Sequence, residues 1–299
     1  MLESIASTKL HPHTASAMGF SVSLAHEIER NVLAALAEDI GGGDLTALLT
    51  PAARRAVGIV TCRESAVLCG TAWFESCLHH LDAEAQIRWL AKDGDAIEAG
   101  QVVCEIAAET RALLTAERAA LNFLQLLSGT ATQTRVYVNA VAGTHAKIVD
   151  TRKTLPGLRL AQKYAVTCGG GTNHRLGLYD GILIKENHII AAGGITPALE
   201  HARRIASGKV FIQVEVETLE QLAEALDHGA TMILLDNMDL AQMRQAVGLN
   251  AGRAELEASG GVRLDTVRAI AETGVDRISI GTLTKDVRAI DLSLRHSEG

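Results

Sequence analysis

Six short apolar runs in the second half of the chain each end in polar residues, and those are the residues best able to do chemistry. Ile148–Val149 is followed by Asp150, Arg152 and Lys153, and Ile182–Ile184 by Lys185, Glu186, Asn187 and His188. Phe211–Val216 carries Glu215 near its end, and Met232–Leu235 is followed by Asp236 and Asn237. Ala254–Leu256 precedes Glu257, Ser259, Gly260 and Gly261, and Ile278–Ile280 precedes Gly281 and Thr282. One such residue would mean little. Six in register are hard to explain as surface decoration, because in an α/β barrel the carboxyl ends of the strands converge on one mouth.

The residue types indicate what that mouth would bind. Ser259-Gly260-Gly261 and Gly281-Thr282 let backbone N–H groups approach an anion closely, at the last strands, where barrels usually hold phosphate. Arg152, Arg175 and Lys185, with His174 beside Arg175, add cations, and guanidinium forks match carboxylates bidentately. Any one of these cations would suit a structural ion pair; the set suits a polyanionic substrate. Glu215 and Asp236 are carboxylates on neighbouring strands. Such a pair invites glycosidase chemistry. Alternatively it could stabilise positive charge at a ribosyl carbon, or bind ribose hydroxyls and a divalent metal. The phosphate turns and arginines favour the ribosyl version.

The elements that must position these residues follow from periodicity. The apolar runs alternate with helical segments such as 218–228, 239–247 and 264–273, each long enough to cross between parallel strands. Six strand-then-helix repeats predict a parallel sheet, open or closed, and residues 164–168 could hide a further strand. Upstream, residues 1–21 read as a flexible tail, and Val22, Leu24, Ile28, Val32, Leu33 and Leu36 give a helix over 22–36 that Gly41-Gly42-Gly43-Asp44 breaks. Ala56–Thr61, Ala66–Cys69, Ile87–Ala91 and Val102–Ile106 read as strands, with a helix over 71–80. The turns at Asp93-Gly94-Asp95 and Ala99-Gly100 mark a small β-rich unit, and a long helix follows from Thr115 to Ala140.

Composition sets the outer limits. The chain has 299 residues, 47% hydrophobic, 21% charged and 3% aromatic, which suits layered α/β packing by small aliphatic side chains. A formal net charge of −7 argues against nucleic acid as a bulk partner. Between Lys147 and His188, however, seven Lys or Arg face three acids, so that segment is +4 and the remainder −11. A basic patch in an acidic protein points to a small anionic ligand, although Lys147 and Lys163 read as solvated helix faces. Five cysteines without a Cys-x-x-Cys pair suggest free thiols in a reducing compartment. No secretory signal is expected in the first twenty residues, and no run approaches the ~20 apolar residues that span a bilayer. A soluble, cytoplasmic protein is expected.

These motifs carry a family resemblance. Asp150-Thr151-Arg152-Lys153-Thr154-Leu155-Pro156-Gly157-Leu158-Arg159 resembles the signature of quinolinate phosphoribosyltransferases. Similar matches follow in order: Gly169-Gly170-Gly171 with Asn173-His174-Arg175, Lys185-Glu186-Asn187-His188, Val214-Glu215-Val216-Glu217, Leu235-Asp236-Asn237 and Glu257-Ala258-Ser259-Gly260-Gly261. Upstream, Glu38-Asp39, Gly43-Asp44-Leu45-Thr46 and Glu117-Arg118 also fit, so the likeness covers about residues 22–295.

The resemblance implies an α/β fold with an N-terminal α/β sandwich (22–130, completed by 286–299) beside an incomplete, TIM-like α/β barrel (131–285). It implies that quinolinate and phosphoribosyl pyrophosphate, with Mg2+, give nicotinate mononucleotide, pyrophosphate and carbon dioxide. No tightly bound organic cofactor is implied. By the same match Arg118, Arg152, His174 and Arg175 hold the quinolinate carboxylates, and Lys153 and Lys185 face the anionic groups of the substrates. Glu215 and Asp236 serve the ribose, the metal and the transition state, and Ser259, Gly260, Gly261 and Gly281 take the 5-phosphate. Lys285 stands where relatives vary between lysine and histidine, and Cys168 reads as structural. A homodimer, or a higher oligomer built from it, is implied, with Arg118 reaching into the neighbouring subunit's site. Three rivals remain: a relative of this fold with another substrate, a Schiff-base lyase using Lys185, and a non-catalytic binding protein. The retained arginine set argues against the first.

Overall fold

Leu24, Ile28, Val32 and Leu36 recur at helical spacing and line the inner face of α1 (Ser23–Ile40), which Gly41 ends at a φ of 51°. The computed structural model describes residues 23–52 and 54–298, so the expected tail at 1–21, and Val22, lie outside the described residues. In β1 (Arg55–Cys62) buried and exposed residues alternate almost without interruption, the signature of a strand with one wet face. After it come β2 (Ala66–Val67), α2 (Thr71–Leu81), β3 (Gln86–Trp89), β4 (Ala96–Ile97) and β5 (Val102–Glu109). The strand expected at Ala66–Cys69 is thus only a two-residue bridge, pairing antiparallel with β4. Then α3 (Thr110–Ala140) runs for 31 residues. It starts five residues before the expected Thr115, because the β1–β5 ladder reaches Glu109 and the helix begins without a turn residue between them.

The second half alternates as its periodicity predicts. The elements are β6 (Lys147–Val149), α4 (Arg159–Cys168), β7 (Gly181–Ile184), α5 (Glu186–Ala192), α6 (Ile195–Ala206) and β8 (Phe211–Val216). They continue with α7 (Leu219–Asp227), β9 (Met232–Asp236), α8 (Leu240–Asn250), β10 (Glu255–Ser259), α9 (Val267–Ala271), β11 (Arg277–Ser279) and α10 (Thr282–Lys285). Helix starts are marked chemically: Thr218 caps α7, and Asp239 with Gln242 forms a capping box on α8. The six strands form one parallel sheet in the order β6-β11-β10-β9-β8-β7. Residues 164–168 hide no further strand: that segment is the end of α4, whose Ala161, Ala165 and Cys168 are buried on one face. The additional pairing comes after it, where Thr172 bridges in parallel to Val149 at the β6 edge.

The last strand, β12 (Leu292–Glu298), returns to the first half and pairs antiparallel with β1, giving a four-stranded sheet in the order β12-β1-β5-β3. Two buried clusters result. One joins α1, the antiparallel sheet, α2 and most of α3; the other lies between the parallel sheet and its helices. Helix α3 belongs to both, with Leu113 to Ala131 in the first and Tyr137 in the second. The α4 face packs into the first, so this helix ties the sandwich to the barrel loops that follow it. All five cysteines are buried free thiols, and Cys168 packs beside Cys69 and Asp93. No helix among the described residues is long and apolar enough to cross a membrane.

Candidate active site

The carboxyl ends of the parallel strands open on one cavity of about 750 Å³. Arg152, Lys153, His174, Arg175, Lys185, Glu215, Asp236, Ser259, Gly260, Gly261 and Gly281 all line it. Arg118 does not. It is exposed on α3 and lines a separate cavity of about 380 Å³ with Arg30, Glu38 and Asp39.

Directly after β10 the backbone is shaped for an anion. Gly260 and Gly261 take φ of 101° and 58°, and a Cβ on Gly260 would overlap the Asn237 amide. Asn237 itself is left-handed at φ 54°, its side chain donating to Asp236 Oδ2 at 2.9 Å. Gly281 faces Lys153, whose Cδ would stand 3.0 Å from an added Cβ. Glycine at 260 is therefore required by two contacts at once, conformation and space.

The guanidinium groups line the same cavity. Arg175 donates from Nη1 to the Gly181 carbonyl at 3.1 Å, and its pKa is lowered by burial and then by the charge of Arg152. Two cations that repel each other in a half-buried wall make a place for an anion. Behind them sits a buried ion pair, Asp150 with Lys163, both side chains fully buried. Lys163 is therefore not the solvated lysine expected from its sequence position. Burial pushes the Asp150 carboxyl up to about 6 and the Lys163 ammonium down, while each charge opposes the shift of the other. The pair holds the loop after the triple glycine: Asp150 accepts from the His174 N–H at 2.8 Å, and Lys163 donates to the His174 carbonyl at 3.1 Å. The glycines serve the same loop. A Cβ on Gly169 or Gly171 would stand 2.6 or 2.8 Å from Thr134 of α3.

The acids stand at the ends of β8 and β9. Lys185 Nζ donates to Glu215 Oε2 at 2.9 Å, and Asp236 is raised by burial and by the charge of Glu215, against Lys185 and Lys153. Lys285 lines the cavity and pairs with Asp286 at 2.5 Å. Three buried side-chain polar atoms among the described residues have no hydrogen-bond partner: Arg152 Nε, Thr282 Oγ1 and Glu257 Oε1. All three residues line this cavity. An unpaired buried donor is costly unless a ligand or water satisfies it, so Arg152 and Thr282 are placed to meet an anion.

This cation-walled cavity with a glycine phosphate turn agrees with comparison to known proteins. Residues 130–295 match the family description "Quinolinate phosphoribosyl transferase, C-terminal domain", and residues 44–128 match its N-terminal domain. The chain belongs to the quinolinate phosphoribosyltransferase family. It is 43% identical over 257 residues to a probable nicotinate-nucleotide pyrophosphorylase (carboxylating) of Bacillus subtilis, covering 86% of this chain and 89% of that protein. It is 43% identical over 270 residues to the nicotinate-nucleotide pyrophosphorylase (carboxylating) of Mycobacterium leprae, covering 87% and 94%. The solved structure of the nicotinate-nucleotide pyrophosphorylase from Francisella tularensis superimposes with a TM-score of 0.89 at 44% identity, covering 91% and 96%.

Within this quinolinate phosphoribosyltransferase fold, sequence reasoning left two residues without a role. Thr282 was visible as a turn residue, and its orphan hydroxyl shows only in three dimensions. Gln213 lies inside β8, fully buried, where its neighbours in sequence are apolar. A polar side chain in an otherwise buried strand was the available signal.

Proposed function

We infer that this chain transfers the phosphoribosyl group of phosphoribosyl pyrophosphate to quinolinate, yielding nicotinate mononucleotide, pyrophosphate and carbon dioxide, a step of de novo NAD synthesis. The observation that carries the reading is the pair of orphan donors, Arg152 Nε at the guanidinium wall and Thr282 Oγ1 at the glycine turns, in one cavity. Quinolinate's carboxylates fall to Arg152, His174 and Arg175, with Arg118 supplied by the partner in a homodimer. Ser259, Gly260, Gly261, Gly281 and Thr282 take the 5-phosphate. Lys153 and Lys185 neutralise the remaining anionic groups. Glu215 and Asp236 face the ribose, where their charge offsets the positive charge that develops at the ribosyl carbon.

Magnesium suits the same two carboxylates. They are hard oxygen donors close enough for Glu215 to raise Asp236, and Mg2+ commonly uses one or two carboxylates with substrate phosphates completing its shell. Residues 22–130 with 286–299 would then serve as the supporting sandwich and 131–285 as the catalytic barrel. A cytoplasmic location agrees with five buried free thiols. The Schiff-base alternative is less well supported, because Lys185 is half exposed and tied to Glu215, whereas such lysines work as desolvated amines.

The test is formation of nicotinate mononucleotide from quinolinate and phosphoribosyl pyrophosphate, with nicotinate as competitor. Quinolinate is expected to be used and nicotinate not, since losing one carboxylate leaves a buried cation unpaired, at a cost of about 1–3 kcal/mol or more. Comparable kcat/KM for the two acids would overturn the assignment.

A further inference from the structure

Both backbone polar groups of Lys153 are held by threonine hydroxyls. Its N–H donates to Thr151 Oγ1 at 3.1 Å, and its carbonyl accepts from Thr284 Oγ1 at 2.7 Å. The second bond spans 131 residues of sequence and joins the loop after β6 to α10. Thr284 is fixed in turn. It is fully buried, and its carbonyl accepts from Gln162 Nε2 of α4 at 2.8 Å. Gln162, fully buried as well, accepts at Oε1 from the Leu155 N–H at 2.8 Å. Leu155 stands two residues past Lys153, so the Gln162 amide bridges the same two segments that the Thr284 hydroxyl joins. A buried neutral network with its members paired sets geometry and adds no charge.

The Lys153 side chain shows which geometry is at stake. A Cβ on Gly281 would stand 3.0 Å from Lys153 Cδ, and Gly281 has an ordinary helical φ of −70°. Glycine is therefore present for space, letting the lysine stem cross the turn. The next residue is Thr282, whose buried hydroxyl has no partner. We propose that Thr284 is a positioning residue: with the Gln162 bridge it holds Lys153 in register with the Gly281-Thr282 turn, so that lysine and turn grip one polyphosphorylated ligand. A lysine side chain is long and flexible, and a backbone free to rotate at 153 would carry its ammonium away from the turn. The kinetic consequence rests on the phosphoribosyl pyrophosphate reading; the grip on a polyphosphate does not.

The experiment is calorimetric binding of inorganic pyrophosphate to the full-length protein with Mg2+ present, beside steady-state kinetics. Thr284→Val removes the hydroxyl at nearly constant shape and leaves the Lys153 carbonyl unpaired. It should weaken pyrophosphate binding and raise KM for phosphoribosyl pyrophosphate, each on the order of tenfold. Thr284→Ser keeps the hydroxyl and should restore both. In a Lys153→Met background Thr284→Val should add no further loss, because it acts through that lysine. A valine variant that is less stable to denaturant but binds pyrophosphate and turns over as wild type would overturn the proposal. So would a serine variant as impaired as valine, or a valine effect undiminished once Lys153 is methionine. No pyrophosphate binding by the wild type would also overturn it. If Thr284→Val does not fold, Thr151→Val removes the other hydroxyl on the Lys153 backbone and decides by the same measurements. A wild type that binds pyrophosphate but makes no nicotinate mononucleotide would reject the functional reading, and the binding comparison would still decide the positioning role.

Discussion

Asp236 carries the most informative charge in the cavity. Burial and Glu215 raise its pKa, and Lys185 and Lys153 hold it down. Glu215→Gln removes a negative neighbour, so ionised Asp236 becomes less costly and its pKa should fall; Lys185→Ala removes a positive neighbour and should raise it. Carboxyl 13C titration of Asp236 in the two variants checks both directions, and shifts of the same sign would reject the proposed placement of charge. The linked effect on stability follows. A raised pKa means the native state keeps a proton that the unfolded state has lost, so stability declines as pH rises from the ordinary aspartate value through the raised one. Glu215→Gln should weaken that decline. In catalysis, Glu215→Ala and Asp236→Ala should lower kcat by at least about a hundredfold while calorimetric quinolinate affinity changes little, because the charge they offset exists mainly in the transition state. A near-normal kcat in either variant removes that residue from the ribosyl centre.

Elements matter here through their ends. Strand β6 stops at Val149, and the next residue, Asp150, is buried against Lys163 from α4. That single pair fixes the loop from Gly169 to Arg175 to the barrel edge, with Thr172 bridging to Val149. Asp150→Asn should destabilise the fold by about 3–5 kcal/mol, since it leaves a buried ammonium without a counter-charge. Asp150→Asn combined with Lys163→Met should cost less than the single change, because no uncompensated charge remains. Denaturant unfolding of the three proteins measures this; additive losses would show that the two residues do not act as a pair.

At the scale of the whole molecule, Arg118 is a proposed site residue that its own chain's barrel cavity does not contain. It sits exposed on α3, beside the separate cavity bordered by α1 and the Pro156-Gly157-Leu158 loop. In a two-fold dimer each chain would both give and receive this arginine. Co-expression of differently tagged Arg118→Ala and Lys185→Ala chains is the measurement. Each homodimer should be inactive, and the isolated mixed dimer should recover roughly half of wild-type activity, since one of its two sites combines an intact barrel with an intact arginine. An inactive mixed dimer would confine Arg118 to its own subunit or exclude it from the site.

Periodicity and residue type alone disclose the repeating part of this protein. Parallel strands buried on both faces must be short apolar runs, and polar residues at their carboxyl ends stand out against them, so Arg152, Lys185, Glu215, Asp236 and the Gly260-Gly261 turn were legible as one mouth. Periodicity could not separate a short apolar strand from a helix turn at 164–168, nor place the start of α3, where no turn residue divides strand from helix. The buried polar groups were beyond it for a different reason. Lys163 reads as solvated because lysine usually is, and only packing of α4 against β6 brings Asp150 to its ammonium. Gln213, Glu257 and Arg277 lie on three separate strands; β10 and β11 are neighbours, but β9 stands between β8 and β10, so the Gln213–Glu257 hydrogen bond exists only because the folded sheet brings non-adjacent strands within reach. Residue types disclose what chemistry a chain can do; which of those groups are free to do it is decided by the partners that tertiary packing supplies.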